Sequence, residues 1–312
     1  MSADSRARTE QQLILLTSPG SSLARDSPRA TANYYTKLDR TRRTFHRNLV
    51  EEYTADNAEL GHDGSAALIT AGPPGAGKST EVEKLGLTGY RVIDPDKIKE
   101  TLLERACEDG IYDDLLKQRL ADGRQILPNE LATLVHEESA DLANEVLRRS
   151  LEDGVNVAIE GTFSWPTLKE RYLTWLIAGD YRLLTVVNVE VDCATAKNRA
   201  NDRWWSGRED AFAGTGSWLG GRFTPPAAID GMFSVDRQGV SACNANAVAL
   251  FNDPLASHFD ELSLYVFHHM SVEEVPDVYV ARRGIVQDER PTPLRSAAVG
   301  EQGGQTPATL TD

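Results

Sequence analysis

Cysteine is scarce in this sequence of 312 residues, which contains only Cys107, Cys193 and Cys243. Because their number is odd and no CxxC pair occurs, the sequence predicts neither a disulfide framework nor a zinc site, and buried thiols are the simpler interpretation. Long apolar runs are also lacking. None approaches the roughly 18 residues that cross a bilayer, and Leu13–Leu16 is too short for the core of a signal peptide. We therefore expect a cytoplasmic protein with no membrane partner.

Basic residues are fewer than acidic residues in this chain. The chain has 33 Lys and Arg against 47 Asp and Glu, which gives a formal net charge of −14. A nucleic-acid-binding face needs clustered basic residues that displace counterions from phosphates, so we expect no nucleic-acid partner. An enzyme with anionic substrates and this overall charge must concentrate its basic residues locally.

The two ends of the chain have little apolar content. Residues 1–30 are rich in Ser, Arg, Thr and Pro, and residues 289–312 are rich in Pro, Gly, Thr and Gln. Such segments bury too little apolar surface to fold alone, so both are predicted to be disordered tails. Residues 31–288 are predicted to form one folded domain, which begins with a helix over Asn33–Asn57.

Within this domain, short β-branched apolar runs alternate with longer segments of helical periodicity. The predicted strands are Ala66–Ala71, Tyr90–Ile93, Val155–Ile159, Leu183–Val191 and Leu262–Phe267. The predicted helices are Lys78–Leu85, Pro95–Cys107, Pro128–Leu151, Thr167–Ala178 and Ala194–Trp205. This alternation predicts an α/β fold with a doubly wound, mainly parallel sheet of five strands. In such sheets the ligand lies at the carboxyl ends of the strands.

The segment after the first predicted strand matches the phosphate-binding P-loop pattern, GxxxxGK[ST]. It reads GPPGAGKS over residues 72–79, and it lies between a predicted strand and a predicted helix, as the P-loop requires. Backbone N–H groups of such a loop bind phosphates, while Lys78 reaches the β and γ phosphates and the Ser79 hydroxyl holds Mg²⁺. The predicted ATP site comprises Gly72, Gly75, Ala76, Gly77, Lys78, Ser79 and Thr80. The motif therefore predicts a P-loop nucleotide-binding domain of kinase type.

Carboxylates follow two other predicted strands. Asp94 and Asp96 come directly after Tyr90–Ile93, and Glu160 with Thr162 follows Val155–Ile159. A carboxylate at such a strand end can accept the proton of an acceptor hydroxyl or orient Mg²⁺ and its water, and Asp96 is the better candidate base. For Asp94 a role at the substrate site and a helix N-cap stay open. Glu160 could bind a substrate hydroxyl, assist the metal or cap a turn.

Basic residues cluster between the last two predicted strands. They are Lys197, Arg199, Arg203, Arg208 and Arg222, and Trp204 and Trp205 lie among them. An arginine from this segment can hold the transferring phosphoryl group with its planar fork, although surface solvation is an equal alternative for any one of them. The two tryptophans are predicted to be core or crevice wall.

These motifs together resemble the zeta toxin family, the P-loop kinases of epsilon-zeta toxin-antitoxin modules. The resemblance spans about Leu68 to Val266 and rests on the order of the motifs. They are GPPGAGKST from Gly72, VIDPD over Val92–Asp96, NVAIEGT over Asn156–Thr162, Arg203, and GRFTP over Gly221–Pro225.

The resemblance implies phosphorylation of a UDP-activated amino sugar, typically UDP-N-acetylglucosamine at its 3′-hydroxyl, which blocks cell-wall precursor synthesis. It implies that Asp96 is the catalytic base beside the P-loop Lys78. It further implies that Glu160 and Thr162 bind substrate and that Arg203 and Arg222 hold the γ-phosphate.

The sequence departs from the family pattern at two substrate-binding positions. The family often has an arginine where this chain has Ser164, and a glutamate where a gap-free count gives Asn144. Asp141 or Glu145 could substitute for that glutamate. The kinase chemistry is therefore more firmly predicted than the identity of the sugar.

Three other functions are alternatives for a chain with a P-loop. A P-loop kinase for another hydroxyl, on an antibiotic or a nucleoside, is the closest alternative. A GTPase switch needs Asn-Lys-x-Asp after the P-loop, and the nearest match, at Thr36–Asp39, precedes it and lacks the Asn. A binding protein without catalysis would not need Lys78, Ser79 and Asp96 together. A toxin must also be restrained, either by an antitoxin partner or by the segment Asn33–Asn57.

Overall fold

The computed structural model describes residues 3–35, 39–55, 60–61, 65–85, 87–233, 239–269 and 277–284. The chain divides into two compact units. The first unit comprises residues 1–55, 94–146 and 198–228, and the second comprises residues 56–93, 147–197 and 229–312. Among the described residues, no helix is both long enough and apolar enough to span a membrane.

The second unit contains a sheet of six strands. In chain order these are β1 Ala66–Ala71, β2 Arg91–Ile93, β3 Val157–Ile159, β4 Leu183–Glu190, β5 Glu261–His268 and β6 Asp277–Gly284. Their order across the sheet is β2-β3-β1-β4-β5-β6. The first five are parallel, and β6 pairs antiparallel with β5. The α/β class and the mainly parallel sheet are confirmed, and all five predicted strands are present.

The sixth strand was not predicted. Its sequence, DVYVARRG, has a continuous apolar run of only four residues, followed by two arginines, which is a weak strand signal. By contrast, every residue of β1 is buried. Strands β3 and β4 flank β1 on both edges, so its sequence, AALITA, is continuously apolar or small.

Eleven α-helices lie within the described residues. They are α1 Ala3–Thr17, α2 Thr31–Tyr34, α3 Arg40–Thr54, α4 Lys78–Leu85, α5 Pro95–Glu108, α6 Asp113–Leu116, α7 His136–Glu152, α8 Pro166–Ala178, α9 Cys193–Ala213, α10 Pro226–Asp230 and α11 Ala242–Phe251. Two 3₁₀ helices cover Pro128–Val135 and Pro254–His258. The predicted helix Pro128–Leu151 is therefore a 3₁₀ segment followed by α7. The predicted helix Asn33–Asn57 corresponds to the end of α2 and to α3.

The N-terminal segment differs from the predicted disordered tail. Residues 3–17 form α1, and both Leu13 and Leu23 are completely buried in the first unit. Polar groups of this segment bond to residues far along the chain: the backbone carbonyl of Leu23 accepts from the Thr133 hydroxyl at 2.6 Å, and Arg29 donates to a carbonyl at position 111. Composition alone does not reveal such distant partners. The predicted tail over residues 289–312 lies outside the described residues.

A buried ion pair joins α3 to α7 within the first unit. Arg42 donates two hydrogen bonds, of 2.7 and 2.6 Å, to the carboxylate of Glu138, and the two side chains are 4% and 7% exposed. The guanidinium also lies 4.3 Å from the ring centre of Tyr35 and 4.9 Å from that of Phe45. The N-terminal helices are therefore an integral part of this unit.

Candidate active site

The P-loop of the second unit has the backbone conformation that its glycines permit. Gly72, Gly75 and Gly77 have φ angles of 136°, 80° and 98°, which side-chain-bearing residues rarely adopt. A Cβ on Gly72 would also lie 2.3 Å from the carbonyl oxygen of Val189 in β4. Glycine is therefore required at position 72 both by its conformation and by the neighbouring strand.

Lys78 lies across this loop. Its ammonium group donates hydrogen bonds to the carbonyls of Gly72 at 2.7 Å and Pro73 at 3.0 Å. Ser79 and Thr80 are exposed in the first turn of α4. The arrangement fits a nucleotide phosphate and its Mg²⁺. The glycines leave backbone N–H groups uncovered by side chains, the Lys78 ammonium lies against the loop, and the Ser79 hydroxyl is exposed.

The loop after β3 is attached to the start of the P-loop. The side-chain oxygen of Thr70 accepts from the N–H of Gly161 at 2.9 Å, and the N–H of Gly72 donates to the carbonyl of Thr162 at 3.0 Å. Glu160 follows β3 directly, and its N–H donates to the carbonyl of Ile93 in β2. Strand β3 pairs with β1, so the loop after β3 lies beside the strand that leads into the P-loop.

Asp94 caps α5. Its carboxylate accepts a hydrogen bond from the N–H of Asp96 at 2.8 Å, and Pro95 occupies the first helical position. This geometry is the capping alternative considered for Asp94. Its role at the substrate site stays a prediction.

In the first unit, Asp96 lies among cations. Lys99 donates to one carboxylate oxygen at 2.9 Å, and Arg222 pairs with the other. Burial alone would raise the pKa of Asp96, but Lys99 and Arg222 outweigh it, and Arg203 adds to their effect, so that the pKa falls to about 2. The side chain is 47% exposed, so solvent screens these ion pairs. Asp96 is ionised at neutral pH.

Arg203 and Arg222 lie together beside Asp96. Arg222 also pairs with Glu100 at 3.3 Å, and its buried Nε has no hydrogen-bond partner among the described residues. Desolvation and the positive charge of Arg222 lower the pKa of Arg203, while Asp96 acts in the opposite direction. The first unit therefore contains two carboxylates, Asp96 and Glu100, and three cations, Lys99, Arg203 and Arg222, in electrostatic contact. Lys99, which the sequence analysis missed, could have been found from its i, i+3 spacing to Asp96.

Arg208 was grouped with the phosphate-binding candidates, but it is completely buried. It donates to both oxygens of Asp122 at 2.9 Å and to both oxygens of Glu130 at 2.9 Å. Trp204 donates its indole N–H to Glu130 at 2.9 Å. Arg208 is therefore a structural residue. Trp204 and Trp205, predicted to be core or crevice wall, are both buried, so they belong to the core.

The segment before Arg222 is pressed against α9. A Cβ on Gly221 would lie 2.1 Å from the carbonyl oxygen of Trp204, and a Cβ on Gly207 would lie 2.6 Å from the Cα of Gly221. Asn129 donates its side-chain amide to the carbonyl of Gly220 at 2.8 Å. This close contact places Arg222 near Arg203, which lies on α9.

Two buried groups lie near the P-loop: the Glu190 carboxyl, which was not predicted, and the Cys243 thiol, whose burial was predicted but whose position was not. Glu190, at the end of β4, accepts hydrogen bonds of 2.6 Å from both the N–H and the hydroxyl of Ser241, and burial raises its pKa to about 6. Burial also raises the pKa of the Cys243 thiol to about 11, although Lys78 lowers it. Both belong to the second unit. No cluster of three or more His, Cys, Asp and Glu side chains within the described residues could hold a metal ion.

The family model of the zeta toxin, described as "Zeta toxin", matches residues 51–265 of this chain. The chain belongs to the zeta toxin family. The family is P-loop kinase-like, and the matched residues include every motif on which the resemblance rests.

One curated relative and two solved structures are also similar to this zeta toxin family member. The calmodulin calcium-dependent NAD kinase of Arabidopsis thaliana is 33% identical over 116 residues, which is 34% of this chain and 19% of the relative. The match thus covers about a fifth of that relative's length. The PezAT chromosomal toxin-antitoxin structure from Streptococcus pneumoniae has a TM-score of 0.46 at 14% identity, over 74% of this chain and 78% of that one. The AvrRxo1-ORF1:-ORF2 structure with ATP has a TM-score of 0.48 at 13% identity, over 77% and 66%.

Proposed function

We propose that this protein is an ATP-dependent kinase that phosphorylates a hydroxyl of a UDP-activated amino sugar such as UDP-N-acetylglucosamine. As a zeta-type toxin it would thereby block cell-wall precursor synthesis. The observation that supports this most directly is the ionised Asp96 beside Arg203 and Arg222, in a chain that carries a complete P-loop.

The proposed reaction is in-line transfer. The acceptor hydroxyl oxygen forms a bond to the γ-phosphorus, the bond from that phosphorus to the β–γ bridging oxygen breaks, and ADP leaves. Asp96 accepts the hydroxyl proton, Lys78 binds the phosphates, and Arg203 and Arg222 offset charge on the transferring group. Mg²⁺ on Ser79 would screen the phosphate oxygens when bound.

Arg222 has a second task in this mechanism. A carboxylate with a pKa of about 2 is a weak base, because efficient proton transfer requires a pKa nearer to the working pH. If Arg222 leaves Asp96 to bind the γ-phosphate, Asp96 keeps Lys99 but loses one of its ion pairs, and its basicity rises. The same movement would supply the orphan Nε of Arg222 with an acceptor.

The loop after β3 is the proposed acceptor site. Glu160 and Thr162 would bind acceptor hydroxyls, and the hydrogen bonds of Thr70 and Gly72 to this loop keep it in register with the P-loop. Asp94 is assigned to the same site in addition to its cap. We also propose that the activity is restrained, either by an antitoxin chain or by residues 33–57.

NAD is a second candidate acceptor. It is favoured by the 33% identity to a NAD kinase and by the departures at Ser164 and Asn144 from the family's sugar-binding pattern. Both candidates place the reacting hydroxyl on a nucleotide-linked molecule, so the kinase chemistry proposed above is unchanged.

Mass spectrometry of products tests the proposal. The purified protein is incubated with ATP and either UDP-N-acetylglucosamine, other UDP-sugars or NAD, beside Lys78→Ala, Asp96→Asn and the exposed-lysine control Lys97→Ala. We expect one product heavier by one phosphate, reduced by about 100-fold or more in the first two variants. Equal turnover by Asp96→Asn would remove Asp96 as the base, and no product from any acceptor would refute the proposed kinase.

A further inference from the structure

We propose that Trp165 is the stacking residue for the acceptor, and that its indole face packs on the nucleobase of a nucleotide-linked acceptor. This role rests on the kinase function proposed above. It lies beyond the motifs considered so far, because no part of the P-loop or of the Glu160–Thr162 segment includes Trp165.

Trp165 is placed beside the proposed acceptor loop by the chain itself. It lies three residues after Thr162, which bonds to the P-loop residue Gly72, and three residues of chain span at most about 11 Å. Its side chain is 63% exposed although tryptophan is among the most apolar side chains by area. An exposed tryptophan is thus presented within reach of the loop that would bind acceptor hydroxyls.

A strained turn produces this exposure. Phe163 has a φ of 54°, in the left-handed region that bulky residues avoid. It is held there by burial, by a stacked contact with Tyr172 at 5.9 Å between ring centres, and by a 2.9 Å hydrogen bond from the Asn246 side chain to its carbonyl. Such outliers persist where surrounding contacts impose them, and they cluster at ligand sites. Here the consequence is that the chain leaves the core at Phe163 and emerges with Trp165 in solvent.

Trp165 has no evident structural task at this position. It is the N-cap of α8, where Ser, Thr, Asp and Asn are favoured, yet its side chain makes no capping bond. Pro166 follows at the first helical position and needs no backbone acceptor. Among the described residues, Trp165 makes no side-chain hydrogen bond and no aromatic or cation–π contact, so its exposed indole surface and its N–H are available to a ligand.

The chemistry fits an aromatic base. Stacking of a base on an aromatic side chain needs no particular hydrogen-bond pattern, so it would serve a pyrimidine or a purine equally. The neighbouring hydroxyls of Thr162 and Ser164 lie 3.0 Å apart and offer polar contacts to the sugar portion. Where the family often has an arginine, this chain therefore combines a hydroxyl pair with an adjacent indole.

Kinetics of Trp165→Ala and Trp165→Phe test the role, with Trp218→Ala as the matched control, since Trp218 is 55% exposed in the first unit. We expect Trp165→Ala to raise the KM for the nucleotide-linked acceptor by about 5- to 150-fold. The KM for ATP should change by less than about twofold, Trp165→Phe should be intermediate, and Trp218→Ala should match the parent. A raised KM for ATP instead would assign Trp165 to the donor adenine and overturn the proposal.

A binding measurement separates this role from the kinase proposal. UMP and AMP are titrated into the Lys78→Ala protein with and without Trp165→Phe, and tryptophan quenching is recorded without turnover. Quenching by UMP that is lost with Trp165→Phe supports stacking on the acceptor even if no acceptor is phosphorylated. A loss confined to AMP would assign Trp165 to the donor adenine and overturn the proposal. No quenching difference, together with an unchanged acceptor KM, would refute it and leave a protein partner as the occupant of this surface.

Discussion

Arg208 allows a quantitative test of what holds the basic helix α9 in place. We consider Arg208→Ala and Arg208→Lys. No solvent reaches the side chains of Arg208, Asp122 or Glu130, and four 2.9 Å hydrogen bonds join the guanidinium to the two carboxylates. A fifth, of 3.0 Å, runs to the carbonyl of Gln125.

The expected losses follow from these contacts. Removing one partner of a buried ion pair costs about 3–5 kcal/mol, and Arg208→Ala leaves two buried carboxylates without a cation, so we expect about 5 kcal/mol. Arg208→Lys keeps the charge but not the planar fork. It loses at least two charge-assisted bonds of about 1.5–3 kcal/mol each, partly regained by the ammonium, and we expect about 3 kcal/mol.

Urea unfolding followed by tryptophan fluorescence measures these losses, because Trp204 donates to Glu130 and reports on the network directly. The matched control is Arg148→Ala, whose guanidinium is half exposed and pairs with Glu152 on the surface. An exposed pair contributes at most about 1 kcal/mol. If Arg208→Ala destabilised the protein no more than Arg148→Ala, the buried network would not stabilise the fold and this reasoning would fail.

Three further predictions concern the site itself. Gly72→Ala should abolish ATP binding, measured by calorimetry, because its Cβ would lie 2.3 Å from a carbonyl oxygen. The control Gly214→Ala has a φ of 72° but no atom within 4 Å of the added Cβ, so it should bind ATP normally. Equal ATP affinities of the two variants would contradict the geometry. Arg222→Ala should raise the pKa of Asp96, so the acid limb of the kcat/KM profile should move to higher pH, and an unmoved limb would show that the ion pair does not control this carboxylate. Burial raises the pKa of Glu190 from 4.5 to about 6, so the folded protein favours the neutral carboxyl. Its contribution to the free energy of unfolding is therefore fully present below pH 4.5 and declines by about 2 kcal/mol as the pH rises through about 6. Urea midpoints measured against pH should show that decline in the parent and not in Glu190→Gln.

The phosphate-binding part of the fold could be predicted from the sequence because its signals are local. The bounds of β1 and α4 agree residue for residue with those expected from an apolar run, a glycine pattern and a helix start. The helix N-cap at Asp94 is likewise a local signal, because Asp94 is followed directly by Pro95 at the first helical position. The roles of Asp96, Arg203 and Arg222 stay predictions, although their electrostatic contact follows from the structure.

Other features depended on partners that are distant in sequence. Arg208 and Arg222 look alike as residues of one basic segment, yet Arg208 is neutralised by carboxylates 78 and 86 positions away, while Arg222 pairs at the surface of α5. The burial of Leu13 and Leu23 likewise requires surfaces that the rest of the first unit provides. Local pattern therefore determined where the P-loop and its strand lie. Tertiary structure alone decided which charges are buried, because desolvation and pairing depend on what surrounds a side chain and not on its neighbours along the chain.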